Sequence, residues 1–114
     1  MTMTTNKHTD TIVIGAGPAG SMAARLLADA GNKVTIVSPQ RTGGRFFNFM
    51  PASIWDDLPF EPDSCVATQI SRVRILLASS HFADAGLPRH ISLVDRMRFD
   101  TLMLDAASYA GAVL

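Results

Sequence analysis

An α/β fold with parallel strands is predicted by three features of this 114-residue sequence. Two short β-branched runs, Thr11-Ile-Val-Ile14 and Val34-Thr-Ile-Val37, have the continuous apolar character of buried parallel strands. The segment between them carries apolar and small residues at helical spacing. A glycine-rich turn lies where the first run gives way to that helix.

Taken in order, residues 1–9 are polar and read as a loose leader with no apolar core, hence not a signal peptide. The first strand ends at Gly15. From Pro18 to Ala30, the residues Ala19, Met22, Ala23, Leu26, Leu27 and Ala30 repeat with helical period. Pro18 suits the first turn, where its missing N–H would go unpaired anyway. Gly31-Asn32 stops the helix, and Ser38-Pro39 closes the second strand. Strand, helix and strand in this order form a βαβ unit, whose crossover is right-handed in nearly all known cases. Residues 39–64 hold four prolines, the Gly43-Gly44 pair and most of the aromatics, which predicts an irregular and functional excursion. Within the ambiguous stretch from Val66 to Ala78, Val73–Leu77 favours a strand. A Gly86/Pro88 loop and a strand at His90–Val94 then complete a β-hairpin inserted beside the sheet. Arg96–Ala110 reads as a helix capped by Asp95, with Phe99, Leu102, Met103 and Ala106 on one face and Met97 also in the core. Gly111 ends it, and Ala112-Val-Leu114 has the character of a strand just begun. Since a parallel sheet needs further strands and helices on both faces, residues 10–114 are expected to be one incomplete domain, the first part of a larger protein.

Composition narrows the function classes. With 47% apolar and 18% charged residues, the chain is neither disordered nor fibrous. Ten basic residues balance ten acidic ones, so no net field draws it to nucleic acid or to an anionic membrane. A single cysteine excludes an internal disulfide, a redox cysteine pair and a cysteine zinc cluster. No run approaches the length of a membrane-spanning helix. A cytoplasmic location is the default expectation.

The most specific signal is Gly15-Ala16-Gly17-Pro18-Ala19-Gly20, between strand and helix, with the small Ala24 one turn further on. A bare GxGxxG is weak evidence, but in this context it is the fingerprint of a Rossmann-like dinucleotide site. Gly15 permits the tight turn, Gly17 lets backbone approach a pyrophosphate, and Gly20 lets helix and strand pack closely. The helix N-terminus, with its free N–H groups and partial positive charge, favours phosphate oxygens. The other reading is a tight turn with no ligand. In one respect the fingerprint is broken. The acidic residue expected at the end of the second strand is replaced by Ser38, a neutral and weaker partner for ribose hydroxyls. Arg41, three residues on, suits a 2′-phosphate, which keeps an NADP-binding Rossmann domain as an alternative.

The stretch Asp10-Thr-Ile-Val-Ile-Gly-Ala-Gly-Pro-Ala-Gly20 resembles the opening of FAD-dependent oxidoreductases of the geranylgeranyl reductase, flavin-dependent halogenase and aromatic hydroxylase superfamily. A second segment, Asp95-Arg96-Met-Arg-Phe99-Asp100-Thr-Leu-Met103 followed by Ala107 and Gly111-Ala112, is similar to that group's R-x-x-F-D-x-x-L and A-x-x-x-G-A motifs. The resemblance implies FAD as cofactor, with Gly15, Ala16, Gly17, Pro18, Ala19 and Gly20 around its pyrophosphate and Ser38 in the ribose position. It further implies Arg45 near the flavin or pyrophosphate and Arg96 on the cofactor, while Phe99 and Met103 pack. The intact enzyme would act on a small organic substrate, with NAD(P)H as a possible electron donor. The group's later glycine–aspartate motif and substrate domain would lie beyond Leu114. No catalytic residue is named by this reading, and the isolated chain is expected to be inactive. A non-catalytic remnant is the alternative from another class.

Smaller signals read as structure. His8, His81 and His90 are scattered and predict no metal site. Adjacent Asp56 and Asp57 point different ways and read as solvated groups. Cys65 reads as a packing residue, and Arg72 and Arg74 as an exposed strand face. Phe46, Phe47, Phe49 and Trp55 line a flavin or substrate pocket or form a local core; the sequence leaves both open.

Overall fold

The structure, a computed structural model, describes residues 8–39 and 47–114; of Phe47 and Ser79 it describes the backbone alone. Arg41, the Gly43-Gly44 pair, Arg45 and Phe46 lie outside the described residues. The chain divides into two compact units, Met1–Gly44 with Asp100–Leu114, and Arg45–Phe99.

The first unit contains the expected βαβ motif. Strand β1 (Thr11–Ile14) pairs in parallel with β2 (Val34–Val37), Thr11 opposite Val34 and Ile14 opposite Val37. Helix α1 (Pro18–Asp29) joins them, with Pro18 at its first position. Its end is fixed by Asn32, whose backbone N–H and side-chain Nδ2 both donate to the Leu27 carbonyl, at 3.1 and 3.0 Å. Beyond helix α2 (Arg96–Tyr109), Val113 forms a parallel bridge to Thr35. The Val113 N–H donates to Val34 O at 3.0 Å and the Ile36 N–H to Val113 O at 2.7 Å. The chain after α2 thus returns to the sheet as a further strand position, as the apolar ending predicts. Val34, Ile36, Ala24, Leu104, Ala107 and Ala112 form the buried core, with Val13 and Leu27 against it. Fully burying a side chain such as Ile36 contributes about 2 kcal/mol.

Burial on both sheet faces does not follow. Ile12, Ile14 and Val37 are exposed, Ile14 by 86%, because α1 and the later turns of α2 pack on the face carrying Val13, Val34 and Ile36. Continuous apolar runs cannot distinguish one covered face from two. On α2 the buried stripe is Phe99, Asp100, Met103, Leu104 and Ala107, rotated from the expected face; Leu102 and Ala106 are half-buried. Met97, expected in the core, is exposed, because it lies off that stripe.

The second unit is a three-stranded antiparallel sheet in the order β3-β5-β4. Strand β3 (Phe47–Pro51) occupies part of the stretch expected to be irregular, and Ala52–Asp57 and Pro62–Ser64 are 3₁₀ turns. A hairpin is present, but its strands are longer than expected and its turn lies elsewhere. β4 (Val66–Leu77) and β5 (His81–Asp95) are joined through Ala78–Ser80, with Leu77 opposite His81. Gly86 and Pro88, expected to form the turn, lie inside β5. There the register slips: Arg72 faces Gly86 while Ile70 faces Ile91. Such a bulge tolerates proline and glycine without ending the strand. The local core holds Phe99 with its ring edge-on to Trp55 (6.3 Å) and Phe60 (5.6 Å). Val94 and Cys65 are also buried in this unit. Trp55 therefore belongs to a local core, while Phe49 is exposed. Arg72 and Arg74 are exposed as expected; Arg74 pairs with Asp84 at 2.6 Å and lies over the Phe82 ring.

Candidate dinucleotide-binding site

The glycine turn is built by the carboxyl ends of β1 and β2. The Gly15 N–H donates to Val37 O at 2.8 Å, which ties the turn to the end of β2 and brings Ser38, half-buried, to the same end of the sheet. Gly15 has φ +104°, a backbone conformation that side chains resist. At Gly20 the constraint is contact. A Cβ there would stand 1.9 Å from the Gly15 carbonyl oxygen and 3.4 Å from Val13 Cγ1, so α1 could not lie against β1. A Cβ at Gly17 would meet nothing within 4 Å. The space in front of Gly17 is open, as the approach of a phosphate requires.

Gly17 is the N-cap of α1, and no side chain caps that end. A helix start left without a side-chain acceptor directs its amide hydrogens and the positive end of its dipole outward. The first turn holds no acidic residue to oppose an anion. Ala16 is buried, and Ser21, fully buried, donates its hydroxyl to Ala16 O at 3.2 Å. That hydrogen bond fixes the turn from beneath. Sequence reasoning missed Ser21, and only its position one residue after the last motif glycine hinted at it. The turn thus fits a diphosphate: open space, an uncapped helix end and a rigid floor.

The other expected cofactor residues are placed as follows. Arg96 is the first residue of α2 and belongs to the second unit; it is half-buried and already partnered. Ser38 is also partnered. Arg45 and Arg41 lie outside the described residues. Asp95 caps α2 as expected, its Oδ1 accepting the Arg98 N–H at 3.1 Å. Cys65 is buried, and burial pushes its thiol above the ordinary value, with Arg98 opposing and Asp95 adding to the shift. No group of three His, Cys, Asp or Glu able to hold a metal ion occurs among the described residues. None of the described helices is long and apolar enough to cross a membrane.

Comparison with known proteins agrees with this geometry. The FAD binding domain family profile matches residues 8–46. An uncharacterized protein of the nifH2 5′ region of Methanosarcina barkeri is 32% identical over 119 residues, covering 92% of this chain and 63% of that protein. Geranylgeranyl diphosphate reductase of Rhodobacter capsulatus is 30% identical over 104 residues, covering 90% of this chain and 26% of that enzyme. The chain thus spans less than two thirds of either relative. Among solved structures, a geranylgeranyl bacteriochlorophyll reductase-like protein of Thermoplasma acidophilum superposes with a TM-score of 0.80 at 24% identity, over 92% of this chain and 29% of that one. The myxobacterial chondrochloren halogenase, an FAD-dependent halogenase, gives 0.67 at 20% identity over 91% and 27%. The open glycine turn, the match of residues 8–46 to the FAD binding domain family and the shared architecture agree: this chain has the fold of the geranylgeranyl reductase-like protein and of the FAD-dependent halogenase.

Proposed function

We propose that this chain is the FAD-binding, N-terminal portion of a flavin-dependent oxidoreductase that acts on a small organic substrate as a reductase, monooxygenase or halogenase. Bound FAD would supply the redox chemistry, with NAD(P)H as electron donor. The chain's own residues bind and orient: the backbone from Gly15 to Gly20 takes the pyrophosphate at the α1 N-terminus, and Ser38 takes a ribose hydroxyl. Arg96 and Arg45 add positive charge for the cofactor, as the family resemblance implies. The observation that carries this reading is the contrast between Gly20, where no Cβ fits, and Gly17, where open space meets an uncapped helix end.

Calorimetric titration of the chain with FAD, ADP and NADPH tests it. FAD and ADP are expected to compete for one site, and Gly17→Val to weaken both at least tenfold while the far-ultraviolet circular dichroism stays unchanged. Ser38 in place of an acid favours a second reading, an NADP-binding domain; tight NADPH binding without FAD binding would establish it. Binding of none of the three leaves the turn a structural element and overturns both readings.

A further inference from the structure

The register slip between β4 and β5 has a spatial result within the second unit. Four consecutive residues of β5, Leu87-Pro88-Arg89-His90, are accommodated between the Arg72–Gly86 and Ile70–Ile91 pairs, opposite Ser71 alone. Bulges of this kind re-aim side chains and are over-represented beside functional sites. Here the displaced segment forms one wall of a cleft of about 330 Å³, whose other walls are Trp55, Ala52 and Pro62 with Gln69 and Ser92. That volume lies in the range of small-molecule sites.

The polar groups in this cleft are donors in excess. Ser92 is 2% exposed, and its Oγ accepts the Trp55 indole N–H at 3.2 Å, so its own hydroxyl hydrogen remains to be given. His90 Nδ1 lies 3.2 Å from Gln69 Oε1; with that oxygen accepting, the Gln69 amide keeps both hydrogens to offer. Arg89 is exposed and has no ion-pair partner among the described residues, and no lining residue is acidic. Against these donors stand the apolar surfaces of Trp55, Leu87, Pro62 and Pro88. A ligand with one compact apolar end and one anionic end satisfies both sides.

We infer that the cleft at the β5 bulge binds a small organic carboxylate: the apolar body lies against Trp55 and Leu87, and the carboxylate accepts from Arg89 and Gln69. Arg is suited to this task because its planar fork matches two carboxylate oxygens. The inference rests on the second unit alone and does not depend on nucleotide binding.

Trp55 is the single tryptophan of the chain and lines this cleft, so a ligand seated there alters its emission. The experiment titrates the full chain, without added nucleotide, with cyclohexanecarboxylate and with cyclohexanecarboxamide, its uncharged counterpart. The carboxylate is expected to change Trp55 emission saturably, and the carboxamide to bind at least tenfold more weakly. Arg89→Ala should weaken the carboxylate at least tenfold, whereas Arg72→Ala, which removes an exposed arginine of β4 outside the cleft, should leave it unchanged. No saturable change with the carboxylate overturns the inference. So does equal binding of acid and amide, or unaltered binding in a folded Arg89→Ala chain. Should Arg89→Ala fail to fold, the comparison of acid with amide on the unaltered chain decides alone.

Discussion

Gly17 and Gly20, three residues apart, illustrate what single residues decide. Helix propensity favours alanine over glycine by about 1 kcal/mol in a helix interior. At Gly20 the clash of a Cβ with the Gly15 carbonyl reverses the sign. Gly20→Ala is expected to destabilise by about 3 kcal/mol, as overpacking against immovable backbone does, and urea unfolding measures it. Gly17→Ala should stay within about 1 kcal/mol of the parent, the scale of an N-cap change, so its effect falls on nucleotide affinity. Cys65 adds a pH dependence. Burial raises its thiol above the ordinary value of 9.0, so the fold favours the neutral form. The stability this confers is complete below the unfolded-state value and is lost as pH rises through the folded one. Stability measured from neutral to strongly alkaline pH should therefore fall above about pH 9, and Cys65→Ala should remove that part of the decline. The glycine motif was legible because its meaning is local, a spacing within six residues. The buried Ser21 hydrogen bond was not, since a serine in a helix looks the same whether its hydroxyl faces water or Ala16.

At the scale of elements, β1, α1, β2 and α2 lie within a residue or two of where periodicity and caps set them. The hairpin turn lies at Ala78–Ser80 rather than at Gly86 and Pro88 for a physical reason. Glycine and proline mark turns in sequence, yet here they mark a bulge, and the turn itself holds Ala78 at φ +39°. A left-handed conformation costs a non-glycine residue roughly 1–2 kcal/mol. Ala78→Gly is accordingly expected to stabilise the chain, by about 1 kcal/mol after the entropy of the added glycine, read as a higher denaturant midpoint. Asp95→Ala removes the acceptor of the Arg98 N–H and should cost about 1 kcal/mol, in the same assay. β3 has no local signature because its partner residues, Ile91–Asp95, are forty or more positions away in sequence, and pairing of that kind leaves no local pattern.

At the scale of the whole molecule, β1 and β2 leave large apolar side chains exposed on one sheet face of the first unit. Ile12, Ile14 and Val37 share a sheet face that the described residues cover only in part. Large uncovered patches drive association, so Ile14→Lys is expected to reduce concentration-dependent light scattering while leaving the circular dichroism intact. The sequence marked these residues as apolar strand positions; which face the helices take depends on packing over the whole chain.

The bridge between Thr35 and Val113 encloses the entire Arg45–Phe99 unit between its two ends. Its consequence is temporal. On the ribosome, β1, α1 and β2 emerge long before the strand position that extends their sheet, and closing so long a loop is entropically slow. A nascent chain arrested ahead of Val113 would hold β2 with an unpaired edge, so the first unit to begin folding is the last to finish.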